Sequence, residues 1–471
     1  MNHLLKKTII KKIIPTFLIL YSLFHIYSTG IKTALQLKDG GDFAVAYPSW
    51  LAFNVNPMQV WHNSGSWMGY INSTNDKTIL DNIDIATNPV LSFLKEAYPS
   101  VMSKTHDPNV LNLKNKNWHN GPVMHFVTYP LLFFKTYMDA FRVWFVVCFS
   151  FLILSFYLWY KLLFIEEKLH SYINFSLCFF IWFNFFPLYE AIILRVIDIF
   201  QFLMLTLFFY YFKKEKPLQS GITLGIAALT KFTPLIFIPY LIVKKKFKLF
   251  FSALATIAII AIFTQFFLGW ENSYLLKILK GVGAGITFYE SQSISSWSSR
   301  LFSEITLDIN NPAAVAIPKV LYPKLAEYLS KAVTFSIVIF YGIIFLYNRK
   351  SNKYSYEISL LLIFMIILPQ WNHPCYFIAI LPPFLILLQN FVKDFHNFHN
   401  VKKFAKVQLS LFLVSFLLLG VVFPMSFFQQ MLNRYSISYI GFYQSYSIPV
   451  YGYMLLIGLL TFKYLKKTEN T

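Results

Sequence analysis

Charge is scarce in this chain, and acidic charge is scarcest: 21 Asp and Glu stand against 41 Lys and Arg, and charged residues make up 13% of the 471. A water-soluble domain of that length needs much more charge to cover its surface, so that class is excluded. Cysteine is rarer still. Cys148, Cys178 and Cys375 each lie in or beside an apolar run without metal-type spacing, which leaves no basis for a disulfide framework or a zinc site. No period of the solenoid kind is found. Nor does a small-residue cleavage site follow the apolar run 13–28 behind Lys6, Lys7, Lys11 and Lys12, so that run is read as an uncleaved first helix.

What is abundant is apolar and aromatic. Hydrophobic residues reach 56%, aromatic ones 20%, and mean hydropathy is +0.53. They arrive in blocks of roughly 17 to 25, the length that crosses a hydrocarbon layer about 30 Å thick. The net charge of +20 sits in short Lys clusters between these blocks, where the positive-inside rule accounts for it, so nucleic acid is not an expected partner.

Applying that rule along the chain predicts a topology. The first helix crosses outward into a long outer loop over about 31–121. Residues 123–137 are apolar but contain His125, Pro130 and Lys135, which predicts an interfacial or re-entrant helix. Runs 141–164, 172–186 and 191–212 then alternate direction and deliver Lys213, Lys214 and Lys216 to the inner side. Runs 218–229 and 232–243 are each about 18 Å as helix, too short to span, and basic residues flank both. They predict a buried hairpin with Thr230, Lys231 and Pro234 at its tip; one kinked span would put Lys244, Lys245, Lys246 and Lys248 outside. A second outer loop covers about 269–328, and runs 332–347, 358–368, 376–392, 409–423 and 448–465 complete a single all-α domain, 1–471. The expectation is a polytopic bundle of about 12 membrane-embedded helices with large outer loops, most naturally in a bacterial cytoplasmic (inner) membrane.

On this topology Asp39, Asp42, Glu190, Arg195, Gln292, Arg300 and His373 converge on the outer face. Lys38-Asp39-Gly40-Gly41-Asp42-Phe43 sets two carboxylates just after a helix exit, where one can act as a general base on a substrate at the membrane surface; a solvated turn is the plainer reading. Arg300, Arg195, Lys231 and His373 are candidate phosphate ligands, although cations at helix ends often serve only as anchors. Lys231 stands out because a charge between two buried segments is costly. Arg195 and Asp198, three apart in one predicted helix, can also neutralise each other. Base, phosphate-binding cations and a site partly in the membrane together suit glycosyl transfer from a lipid-phosphate carrier.

Several segments, in order, resemble the GT-C superfamily, and specifically the polyprenol-phosphate-mannose-dependent enzymes of glycosyltransferase family 87. They are Gly41-Asp42-Phe43, the stretch from Gly221 through Gly225 to Thr230-Lys231-Phe232-Thr233-Pro234, Glu290-Ser291-Gln292-Ser293 with Arg300 downstream, and Trp371-Asn372-His373. The resemblance implies a GT-C-like bundle and transfer of a hexose, mannose favoured, from a polyprenyl-phosphate-linked sugar to a cell-envelope glycan or lipid acceptor on the outer side. It implies inverting, metal-independent catalysis without a cofactor. Asp42 is then the base with Asp39 beside it, Arg300, Lys231, His373 and Arg195 serve the donor phosphate, and Gln292, Ser293 and Trp371 line the substrate. The chain departs from the family at Leu194-Arg195-Val196-Ile197-Asp198, where a Gly-Gln pair is frequent. Its long first loop also offers Asp76, Asp81, Asp84 and Asp107 as alternative acids. A lipid or solute transporter or flippase, and a glycan polymerase or ligase, are the rival readings; the first expects two related halves, and no internal repeat is seen.

Overall fold

The computed structural model describes residues 9–36, 123–128, 130–131, 134, 137–194, 196–268, 291–306, 318–369, 372–396, 403–420 and 439–466. Asp39, Asp42, Asp76, Asp81, Asp84, Asp107, Arg195, Glu290 and Trp371 lie outside them.

The described chain is almost entirely helical. In order run α1 (Ile14–His25), α2 (Tyr137–Tyr160), α3 (Tyr172–Phe183), α4 (Phe186–Leu194), α5 (Asp198–Lys213), α6 (Pro217–Thr230), α7 (Phe237–Val243), α8 (Phe247–Leu268), α9 (Ile294–Leu301), α10 (Pro323–Tyr347), α11 (Tyr354–Ile367), α12 (Leu381–His396), α13 (Lys403–Gly420), α14 (Tyr439–Ser445) and α15 (Ile448–Leu465). Starts follow local chemistry: α1, α6, α10 and α15 carry Pro in their first turn, and Ser171 caps α3 by accepting the Asn174 N–H. Val123–Thr128 form a six-residue helix, too short by itself to span. One two-residue antiparallel pairing, Ser303–Glu304 with Lys319–Val320, completes the described elements.

Six helices among the described residues are long and apolar enough to cross a membrane, and four further apolar helices are shorter. The chain is thus a multi-pass membrane protein, with six crossings supported by length and composition where about twelve embedded helices were expected. Their burial separates centre from rim. The segment Pro374–Asp394 is 83% buried, whereas α10 is 17% buried and turns Phe335, Phe340 and Ile343 outward as a lipid-facing surface needs.

Two short segments differ from, or sharpen, the expected helices. The run 191–212 is interrupted: α4 ends at Leu194 and α5 begins at Asp198. Val196 N–H reaches back five residues to Ala191 O, and Phe200 N–H only three to Ile197 O, so the hydrogen-bond ladder changes register there. Asp198 is therefore the first residue of a new helix; Arg195, with which its spacing suggested a pair, lies outside the described residues. The hairpin expectation, by contrast, agrees with the structure. α6 and α7 are separated at Lys231, and Lys216 and Lys245, at the far ends of the pair, line one cavity. α6 lies tightly on α8 because Gly221 and Gly225 face Ser252 and Thr256. A Cβ on Gly221 would stand 2.5 Å from that of Ser252, so this small-xxx-small stripe sets the spacing.

Basic and acidic residues collect at one end of the bundle, where Lys214–Glu166, Lys393–Glu167, Lys463–Asp394 and Lys244–Glu357 pair at 2.6–2.8 Å. The polar cluster that follows lies at the other end. There α1 is held by His25, whose Nδ1 is 3.0 Å from Asn184 Oδ1 and 2.9 Å from the Tyr189 hydroxyl.

Candidate active site

Lys231 owes its position to a broken helix. Pro234 has no N–H to offer Thr230 O, so α6 cannot continue, and Lys231 turns to extended backbone (φ −156°, ψ 134°). Gln201 on α5 braces the break: its Nε2 donates at 3.0 Å to Ala227 O, which also accepts the Lys231 N–H, and at 2.8 Å to Lys231 O. Asp198, first residue of α5, receives the ammonium at 2.9 Å, with both side chains less than a tenth exposed. Each charge sits at the helix end that suits it, the anion at an N-terminus and the cation at a C-terminus. Tyr376 closes the other side, its ring centroid 3.0 Å from Lys231 Nζ. Asp198, Gln201, Lys231, Thr233, Asn372 and Tyr376 border a cavity of about 30 Å³, room for water rather than a sugar.

Asn372 joins this cavity to a second polar segment. Its Oδ1 accepts the Gln292 N–H at 2.6 Å, and its Nδ2 donates to Ile366 O at 2.8 Å. Gln292 in turn donates through Nε2 to Gln444 O at 3.0 Å. Ser293 caps α9 by accepting the Ser296 N–H at 3.1 Å, and Ser296 donates to Ser291 Oγ at 2.7 Å, so the Ser-rich turn satisfies itself locally. Two turns along α9, Arg300 is 3% exposed and donates from Nε to Ser447 Oγ at 2.7 Å. Burial pushes its guanidinium well below the ordinary value, to about 9, which leaves it protonated at neutral pH. Ser447 itself holds a left-handed conformation at φ 55° just before α15, a strained choice for a residue with a Cβ. Among the described residues Trp297 Nε1, Gln444 Oε1 and Ser445 Oγ are buried without a hydrogen-bond partner, an incomplete polar lining in an otherwise dry bundle.

The family model of glycosyltransferase family 87 matches residues 118–369, more than half of the chain. The chain belongs to glycosyltransferase family 87. No curated protein matches it. The protein is therefore a membrane glycosyltransferase, which uses a sugar donor and an acceptor. The matched stretch holds Asp198, Lys231, Gln292 and Arg300; it begins after Asp39 and Asp42 and ends before Asn372 and His373.

Of the residues singled out in the sequence, Lys231 and Gln292 meet through Asn372, with Ser293 and Arg300 on the same short segment as Gln292. His373 is half-buried beside them, its ring 6.3 Å from that of Tyr376, so one tyrosine stands between the histidine and the lysine. Asp39, Asp42, Arg195 and Trp371 lie outside the described residues. Sequence reasoning passed over Asn372 and Tyr376, although both fall in or next to the Trp371-Asn372-His373 motif. The Lys231–Asp198 pair was also not foreseen; spacing pointed only to Arg195 as a possible partner of Asp198.

Proposed function

We propose that this glycosyltransferase takes a hexose, mannose favoured, from a polyprenyl-phosphate carrier and places it on a cell-envelope glycan or glycolipid, with the site at the end opposite the paired basic residues, facing outward. The observation that carries this reading is the Asn372 joint, which ties the Lys231 cavity to the Gln292–Arg300 segment. Two buried cations, Lys231 bordering the cavity that Asn372 also lines and Arg300 on the segment that Asn372 bonds, suit an anionic leaving group, since charge-assisted contacts in a dry site are strong. The surrounding apolar helices suit a polyprenyl chain.

In the proposed step an acceptor hydroxyl attacks the anomeric carbon while Asp42 takes its proton, and the bond from that carbon to the phosphate oxygen breaks with inversion. The departing polyprenyl phosphate is stabilised by Arg300 and Lys231, with His373 at the edge and Arg195 as a further candidate. Asp39 supports the base, and Gln292, Ser293 and Trp371 contact the sugars. Arg300 is buried and held by Ser447, so a phosphate beside it would make a charge-assisted contact shielded from water.

The test is transfer of radiolabelled mannose from its polyprenyl-phosphate carrier to endogenous acceptors in membranes containing wild type or Asp42→Asn at equal level. Transfer by wild type and its loss in the variant are expected. No transfer by wild type would point to another donor, and a fully active variant would remove Asp42 as the base.

A further inference from the structure

The lysines at the basic end include two contrasting groups. Lys214, Lys244, Lys393 and Lys463 each hold a carboxylate at 2.6–2.8 Å. Lys213, Lys216, Lys245, Lys246 and Lys248 do not: among the described residues none of the five forms an ion pair, and all five line a single open cavity of about 880 Å³ with Glu215 as its lone acid. Like charges packed around one hollow repel, and the chain brings them there through two turns in the left-handed region, Glu215 at φ 54° and Lys245 at φ 55°, where residues with a Cβ are strained.

Two further features give the hollow a preference for an anion. The first residues of α6 and α8, Pro217 and Phe247, both line it, so two helix N-termini of 14 and 22 residues add their positive dipole ends to the lysines. Lys246 lies over two rings at its wall, 5.7 Å from the Phe212 centroid and 5.0 Å from that of Tyr354, which fixes the ammonium without neutralising it. Exposed apolar side chains continue from the mouth: Leu218 and Ile222 along α6, Phe247 and Phe251 along α8. An anion with an apolar tail fits this pairing of surfaces, and a free inorganic ion uses only half of it.

We propose that this cavity is a binding site for the phosphate headgroup of an anionic phospholipid in the membrane leaflet at the basic end, with its acyl chains along α6 and α8. The site is separate from the candidate active site and holds a structural or regulatory lipid.

The experiment is native mass spectrometry of the full-length purified protein given phosphatidylglycerol, phosphatidylcholine or inorganic phosphate. The wild type is compared with Lys216→Gln/Lys246→Gln/Lys248→Gln and with a charge-matched control, Lys11→Gln/Lys12→Gln/Lys350→Gln, whose residues are outside the cavity. Retention of phosphatidylglycerol about tenfold over phosphatidylcholine is expected for wild type and control, and loss of that preference for the cavity variant. Equal loss in the control would show that net charge, not the cavity, attracts the lipid. A wild type without preference for phosphatidylglycerol, or one from which inorganic phosphate displaces it, would overturn the proposal.

Discussion

Two lysines, Lys231 and Lys244, are equally buried at opposite ends of this bundle, each 6% exposed, each against one carboxylate. Their surroundings differ. Lys244 is closed in: its ammonium reaches Glu357 at 2.6 Å and the carbonyls of Asn348 and Ser351 at 3.0 and 3.1 Å, while the Tyr240 hydroxyl donates to the other oxygen of Glu357 at 2.7 Å. All three ammonium protons have acceptors, and α7, the end of α10 and α11 are fastened together. Lys231 has Asp198 on one side, an aromatic face on another and a water-sized cavity on the third, with Asn372 leading on to Gln292. A buried charge by itself is thus no mark of function. What distinguishes the two is whether the surrounding polar network is closed or left open to something the protein does not itself supply.

The sharpest way to break this contrast is to unpair the closed site. Glu357→Leu leaves Lys244 buried without its counter-charge, and a loss of about 3–5 kcal/mol is expected in thermal or denaturant unfolding of the purified protein. A variant as stable as wild type would mean that the clamp is not structural. The open end responds in activity instead. Arg300→Gln is expected to lower transfer about hundredfold. In the wild type, transfer should fall as pH rises through about 9, where the buried guanidinium loses its proton, and the variant should show no such inflection. For stability the sign is opposite: the folded-state value is depressed, so the fold bears the charging cost below about 9 and is relieved of it above. The smallest effect belongs to a third pair, Lys331–Glu327, four residues apart on α10 and exposed on both sides. Lys331→Gln should leave the melting temperature unchanged within error, because a solvated pair contributes little.

How much of this was legible depends on how far a residue reaches. Helix positions were, because an apolar run of spanning length has few other uses, and the 218–243 hairpin was, because each half is too short and basic residues close both ends. The interruption at Val196 and Ile197 was not: neither Pro nor Gly marks it, and only the change of hydrogen-bond register reveals it. Lys231 announced itself as a charge where none is cheap, and Lys244 did not, being one of a run of three lysines of which the fold buries one. The partners of the Ser-rich segment were out of reach entirely. Gln292 bonds to residues 80 and 152 positions away, and Arg300 to one 147 away, separations over which a single sequence carries no pairing signal.

On this reading the open end binds the phosphate-linked donor, while the closed end only holds the fold. Two double variants test it side by side: Lys231→Met/Asp198→Leu and Lys244→Met/Glu357→Leu each remove a whole pair, so neither leaves a buried charge alone. Mannose transfer from the polyprenyl-phosphate carrier is measured in membranes with equal amounts of folded protein. The first variant should lose transfer about hundredfold and the second keep it; equal activity in the two, or the reverse order, would refute the assignment of the donor to the Lys231 end.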